Sequence, residues 1–239
     1  SETTVLRMVS GYSVFANGGR QVKPTLIDRI QDRFGKTIFK HEERVCEQCD
    51  AEQWTHQDEP VIEDNREQVL DPMTAYQVTS MLEGVVQRGT ATVLKSVGKP
   101  LAGKTGTSND YKDAWFIGYS PDLVVGVFIG YDNPKPMGRG MTGGEVAAPI
   151  AGDFFKLALA DKPGIPFRVP EGLTLIPIDR KTGMRSAAGN PGTILEAFKP
   201  GTGPPDTYSI IGQTDANGQP LTVAPEADRA VISGTGGLY

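Results

Sequence analysis

Long hydrophobic runs are missing from this 239-residue chain. The longest apolar stretch, LVVGVFIGY at 123–131, is strand-sized and falls far short of the ~20 residues of a membrane helix. An excess of positive charge is missing too, with 24 basic against 29 acidic residues and a formal net charge of −5. The basic residues are scattered, so nucleic acid finds no electrostatic footing. The opening residues, SETTVLRMVSGYSVF, lack the basic start and small-residue cleavage site of a signal peptide. Any export or anchoring signal is therefore expected outside these residues. Cysteine and histidine are scarce, two of each. What is present suffices for a packed core: 38% hydrophobic and 22% charged residues suit one large or two small domains.

Periodicity gives a coarse order of elements. Val5, Leu6, Val9, Tyr12 and Phe15 fall near helical spacing, and Asn17-Gly18-Gly19 stops that helix. No leader precedes it, so the chain is expected to start inside a larger fold. KPTLIDRIQDRFGKTIFK at 23–40 predicts two strands joined around Arg33-Phe34-Gly35. Residues 41–70 are charged and weakly periodic, an excursion from the core. Asp71 and Pro72 then open a second helix, with Tyr76, Met81, Leu82, Val85 and Val86 as its apolar face and Gly89 past its end. TATVLKSV at 90–97 has the composition of a strand. From there PLAGKTGTS, DAWFIGY and LVVGVFIGY predict a three-stranded antiparallel meander, with Ser120-Pro121-Asp122 as one turn. A third helix is expected over 145–160, with Ala147, Ile150, Ala151, Phe154, Phe155 and Leu157 facing inward. Residues 163–239, rich in Gly and Pro, are expected to form an extended, partly disordered tail.

One motif has two readings. Gly98 to Thr105 satisfies the phosphate-loop pattern G-x-x-x-x-G-K-[ST]. A phosphate loop needs a helix starting at its Lys-Thr, whereas Gly106, Thr107, Ser108, Asn109 and Asp110 are a poor helix start and a hairpin follows. On a strand, Lys104-Thr105-Gly106-Thr107 makes better chemical sense. Alternation sends Lys104 and Gly106 to one face and Thr105 and Thr107 to the other. Lys104 brings a positive charge and the threonines bring hydroxyls for a carboxylate. Gly106 leaves room for a ligand's backbone, and the strand's N–H groups can polarise an acyl oxygen.

K-T-G on a strand is one of three signatures of serine penicillin-binding proteins and β-lactamases, beside S-x-x-K and S-x-N. It has company here. EGVVQRGTA at 83–91, LAGKTGTSNDYKDAWFIGYSPDL at 101–123 and GGEVAAPI at 143–150 resemble the class A penicillin-binding proteins, as do YSVFANGG at 12–19 and LEAFKPGTGP at 195–204. The resemblance implies an α/β (α+β) fold with a mainly antiparallel sheet flanked by helices, the penicillin-binding-protein/β-lactamase-like transpeptidase fold, incomplete in this chain. Residues 1–162 would form the later half of the transpeptidase domain, with 41–70 as its excursion and 163–239 as its tail. The implied activity is D,D-transpeptidation of peptidoglycan at the periplasmic face of the inner membrane. Stem peptides and β-lactams would be the ligands, no cofactor is implied, and a membrane would be met only through a segment absent here. Lys104, Thr105 and Thr107 would bind the terminal carboxylate, Gly106 would allow close approach, and the Thr107 N–H would complete the oxyanion hole.

The other two signatures are expected in sequence preceding residue 1. No S-x-N occurs in the chain. Ser96-Val97-Gly98-Lys99 spells S-x-x-K, but Gly98 and Pro100 oppose the helix that motif requires, so the match reads as coincidence. A non-catalytic scaffold of the same fold is the rival from another class. Cys46 and Cys49, flanked by His41 and His56, permit a disulfide, free thiols or tetrahedral zinc; a disulfide is favoured if the resemblance places them outside the cytoplasm. Bland readings suffice elsewhere. Arg88 suits a helix C-terminus beside a ligand role, Trp115 a core or rim position over a substrate platform, Gly143-Gly144 a turn into the third helix beside a site-edge loop, and Glu63, Asp64, Arg66 and Glu67 a solvated charge run.

Overall fold

The computed structural model describes residues 3–41, 53, 55, 56 and 64–205. The chain divides into two compact units, Ser1–Pro170 and Glu171–Tyr239. The first runs past the boundary drawn at 162, because the Phe167 ring packs edge-on against Tyr119 with centroids 5.5 Å apart.

In the first unit, α1 (Val5–Ala16) is capped by Thr4, whose hydroxyl accepts from Arg7 N–H at 3.2 Å. Two short strands follow, β1 (Arg29–Gln31) and β2 (Thr37–Lys40), antiparallel around a turn in which Gly35 takes φ +83°. The acidic stretch after 63 is more than a solvated run. Arg66 donates twice to the Asp64 carboxylate at 2.7 Å, and Arg20 donates to the Asp64 and Arg66 carbonyls at 3.0 and 2.7 Å. The Arg66 hydrogen bonds hold the Asp64 carboxyl well below the usual carboxylate range. This clasp fastens the entry to α2 (Pro72–Arg88) onto the end of α1, and Asp71 caps α2 through Thr74 N–H at 3.0 Å.

Residues 92–97 form a 3₁₀ helix rather than a strand, with Leu94 pointing into the core. The expected meander is present: β3 (Ala102–Thr107), β4 (Asp113–Tyr119) and β5 (Val124–Gly130) pair antiparallel in the order β3-β4-β5. α1 lies on one face, so close that a Cβ on Gly126 would come within 2.6 Å of Val9 Cγ2. On the other face Phe116 meets Val86, Leu94, Leu101, Ala148, Ala151 and Phe155. Tyr119 closes the end of the sheet against α2, its hydroxyl 2.9 Å from that of Thr79; burial pushes the phenol's pKa up.

α3 (Ala148–Ala158) corrects one expectation. Its inner face is Ala148, Ala151, Gly152 and Phe155, while Ile150 and Phe154 are 52% exposed and Leu157 is 81% exposed. Gly152 sits so near Leu94 that an added Cβ would be 3.2 Å from it, so close approach selects the small residues. Met81 on α2 is likewise exposed, because the buried stripe runs through Ala75, Thr79 and Val86 instead.

The second unit holds structure where the tail reading has none. β6 (Thr174–Asp179) and β7 (Thr193–Phe198) form an antiparallel hairpin with Ile176, Ile178 and Ala197 buried. The Asp179 carboxylate accepts from Lys181 N–H at 3.0 Å and Thr182 N–H at 2.9 Å, and Gly183 supplies the positive φ that turn needs.

Candidate active site

β3 is an edge strand. It is buried at Ala102 and Gly103, and Lys104 and Thr107 are exposed. β4 covers one edge, and among the described residues no strand pairs with the other. Ser108 N–H bonds the Asp113 carbonyl at 3.0 Å, which fixes the phase of the ladder. With Gly106 opposite Trp115 and Lys104 opposite Ile117 in the same phase, alternation turns the N–H and C=O of Thr105 and Thr107 away from β4. The Thr107 N–H therefore faces the open edge. Lys104 reaches there too, with Nζ donating to the Thr105 carbonyl at 2.9 Å.

The side chains divide between the faces as expected. Lys104 and Gly106 share a face with Trp115 and Ile117, where Trp115 meets Phe128 with ring centroids 4.6 Å apart. Trp115 is half-buried there, a rim position. A Cβ on Gly106 would fall 3.2 Å from that of Trp115, so the glycine leaves a shallow gap beside the indole. On the opposite face, the Thr105 hydroxyl lies 2.6 Å from that of Thr90, and the Thr107 hydroxyl accepts from Gly143 N–H at 3.1 Å.

Of these partners Thr90 went unassigned in the sequence, and Gly143 was read as a turn or a site-edge loop. Thr90 follows Gly89, whose N–H bonds the Val85 carbonyl as α2 ends. Gly143 opens a π-helical turn, Gly143–Ala147, whose wider loop leads into α3. It packs flat on the strand pair, since an added Cβ would stand 2.5 Å from the Gly106 carbonyl oxygen and closer still to that of Trp115. The composition at 143–144 announced a turn, but only the fold shows what the turn touches.

Other candidates resolve simply. Arg88 folds back over Gly84, where a Cβ would be 2.8 Å from its guanidinium. Beside it burial raises the Glu83 carboxyl, with the Arg88 charge acting in the opposite direction. The Ser96 hydroxyl donates to the Val93 carbonyl at 2.9 Å and the Lys99 ammonium to the Lys162 carbonyl, so the S-x-x-K letters form no proton-sharing pair. The strand continues through Lys104-Thr105 to Thr107, and the helix a phosphate loop requires is absent there. Cys46 and Cys49 lie outside the described residues. Among the described residues no helix is long and apolar enough to cross a membrane.

An antiparallel edge strand carrying Lys-Thr-Gly-Thr, with helices on both faces of its sheet, defines a class. Residues 1–156 match the family described as penicillin binding protein transpeptidase domain, and the chain belongs to that family. Among its relatives are the penicillin-binding proteins 1A of Rickettsia bellii, 44% identical, and Rickettsia conorii, 43% identical, each over 83% of this chain and 25% of the relative. The Neisseria gonorrhoeae protein of the same name is 41% identical over 72% of this chain and 20% of its own length. The crystal structure of penicillin-binding protein 1A from Haemophilus influenzae superposes with a TM-score of 0.70 at 29% identity, covering 86% of this chain and 33% of that one. The chain thus spans about a quarter of the length of the Rickettsia relatives.

Proposed function

We propose that this chain supplies the K-T-G wall of the acylation site of a peptidoglycan D,D-transpeptidase and does not itself carry the nucleophile. The observation that supports it most is the open edge of β3, where the Lys104 ammonium lies on the Thr105 carbonyl and the Thr107 N–H opens to the same side past a residue without a side chain. On this reading Lys104, Thr105 and Thr107 hold the terminal carboxylate of a donor stem peptide or a β-lactam. The Thr107 N–H donates to the oxyanion as the acyl carbon becomes tetrahedral. A serine from preceding sequence of the same polypeptide attacks the D-Ala–D-Ala carbonyl and D-alanine leaves. The amine of a neighbouring stem then takes the acyl group and frees the serine. β-Lactams acylate the same serine, and no cofactor enters. On this reading the work belongs to cell-wall synthesis, carried out at the periplasmic face of the inner membrane.

The absence of S-x-N from the sequence and the spent hydrogen bonds of Ser96 and Lys99 support the second half of the proposal. Fluorescent penicillin tests both halves. The expected result is covalent label on the polypeptide that includes the preceding sequence and none on these 239 residues alone. Label on the isolated chain overturns the claim that the nucleophile lies elsewhere. A complete polypeptide that stays unlabelled would instead favour a non-catalytic scaffold of the same fold.

A further inference from the structure

We infer that Thr90 is a positioning residue for the carboxylate site, acting through the hydroxyl of Thr105. The inference rests on the reading of Lys104–Thr107 as that site. The two hydroxyls are 2.6 Å apart, and either can donate. A threonine hydroxyl has one proton and two lone pairs, so whichever way the bond runs, the pair keeps one proton to give to a ligand. An anion at the open edge selects one direction: Thr90 donates to Thr105, and Thr105 donates to the carboxylate. In that arrangement each bond polarises the next, and the outer donor strengthens.

The second threonine of the strand is set by the same logic. Thr107 Oγ1 accepts from Gly143 N–H at 3.1 Å, and among the described residues its proton has no acceptor. Each threonine hydroxyl thus has a neighbour that can donate to it and so leave its own proton for an acceptor-only ligand. The local chain explains why Thr90 can serve. A Cβ on Gly89 would sit 2.8 Å from Val85 Cα, so only glycine lets the end of α2 turn this tightly. Ala91 is fully buried and pins the far side of Thr90. The Thr90 carbonyl abuts Gly144, where a Cβ would approach to 2.5 Å. Thr90 is held by its backbone on both sides, with its hydroxyl aimed at β3.

The test compares benzylpenicillin with its methyl ester, in the polypeptide that includes the preceding sequence. The ratio of their acylation rate constants reads recognition of the negative charge. Thr90→Val, which exchanges a hydroxyl for a methyl, is expected to lower that ratio about five- to tenfold. Thr90→Ser is expected to keep the ratio near the parent value, and all variants are expected to melt within a degree or two of it. Thr105→Val is the control for the underlying site. If Thr105→Val lowers the ratio and Thr90→Val does not, the inference about Thr90 fails while the K-T-G reading stands. If neither changes it, both fail. Equal losses in Thr90→Val and Thr90→Ser also overturn the inference, since they would mean packing rather than proton donation.

Discussion

At the scale of single residues, the site depends on atoms that are missing as much as on those present. Gly143 donates to Thr107 Oγ1 while its Cα lies over the Gly106 and Trp115 carbonyls. Any side chain there must push two backbone oxygens that belong to the β3–β4 ladder, and neither is the end of a flexible group. Gly143→Ala is therefore expected to lift the turn from the strand and break the bond to Thr107. Overpacking of this kind costs about 1–3 kcal/mol of stability. The larger effect is expected on penicillin acylation, a loss of at least about tenfold, because both the Thr107 hydroxyl and its backbone N–H shift. A variant that loses stability but acylates at the parental rate would show that the turn supports the sheet and not the site. Thr90 could not be found from its own surroundings in the sequence, because its partner is fifteen residues away and on a different element.

At the scale of elements, legibility follows from how local the signal is. The strands are short apolar or small-residue runs set off by local turn signals, and Ser120 turns the chain by donating its N–H to the Leu123 carbonyl at 2.9 Å, so the meander could be read directly. The cap Asp71 and the stop at Gly89 were legible for the same reason. The inner face of α3 was legible in part: Ala147, Ala151 and Phe155 are buried as expected, but Ile150, Phe154 and Leu157 are not. Hydrophobicity favoured those three, whereas the buried stripe runs through Ala148 and Gly152, and Gly152 makes the close approach to Leu94. The β6–β7 hairpin was hidden by its glycines and prolines, which composition assigns to loops and which here make the turn. The correction to α3 can be measured. Phe155, fully buried, is expected to cost about 3–5 kcal/mol when replaced by alanine. Phe154 is half exposed, and its replacement by serine is expected to cost no more than about 1 kcal/mol. Equal costs in urea titrations of the two variants would restore the inward assignment of Phe154.

At the scale of the whole molecule, the most exposed apolar side chains of the first unit lie in two places. One is the β1–β2 hairpin with its flank, where Leu26 is 98%, Phe34 86% and Ile38 64% exposed. The other is the α3 stripe, where Leu157 is 81% exposed. Beside these, β5 presents an edge that no strand pairs among the described residues, and its sequence, VVGVFIG, carries no charge to protect it. A net charge of −5 spread over 239 residues opposes association only weakly. Patches and open edges of this kind mark association surfaces, so the chain taken alone is expected to associate as its concentration rises. The α3 stripe is the separable contribution, because Phe154→Ser with Leu157→Lys removes apolar area that the fold itself barely uses. Sedimentation velocity over a wide concentration range is expected to show the parent chain growing heavier, and the double variant less so, at nearly equal unfolding midpoints. A parent chain that sediments as a monomer throughout would overturn the reading of these patches as association surfaces.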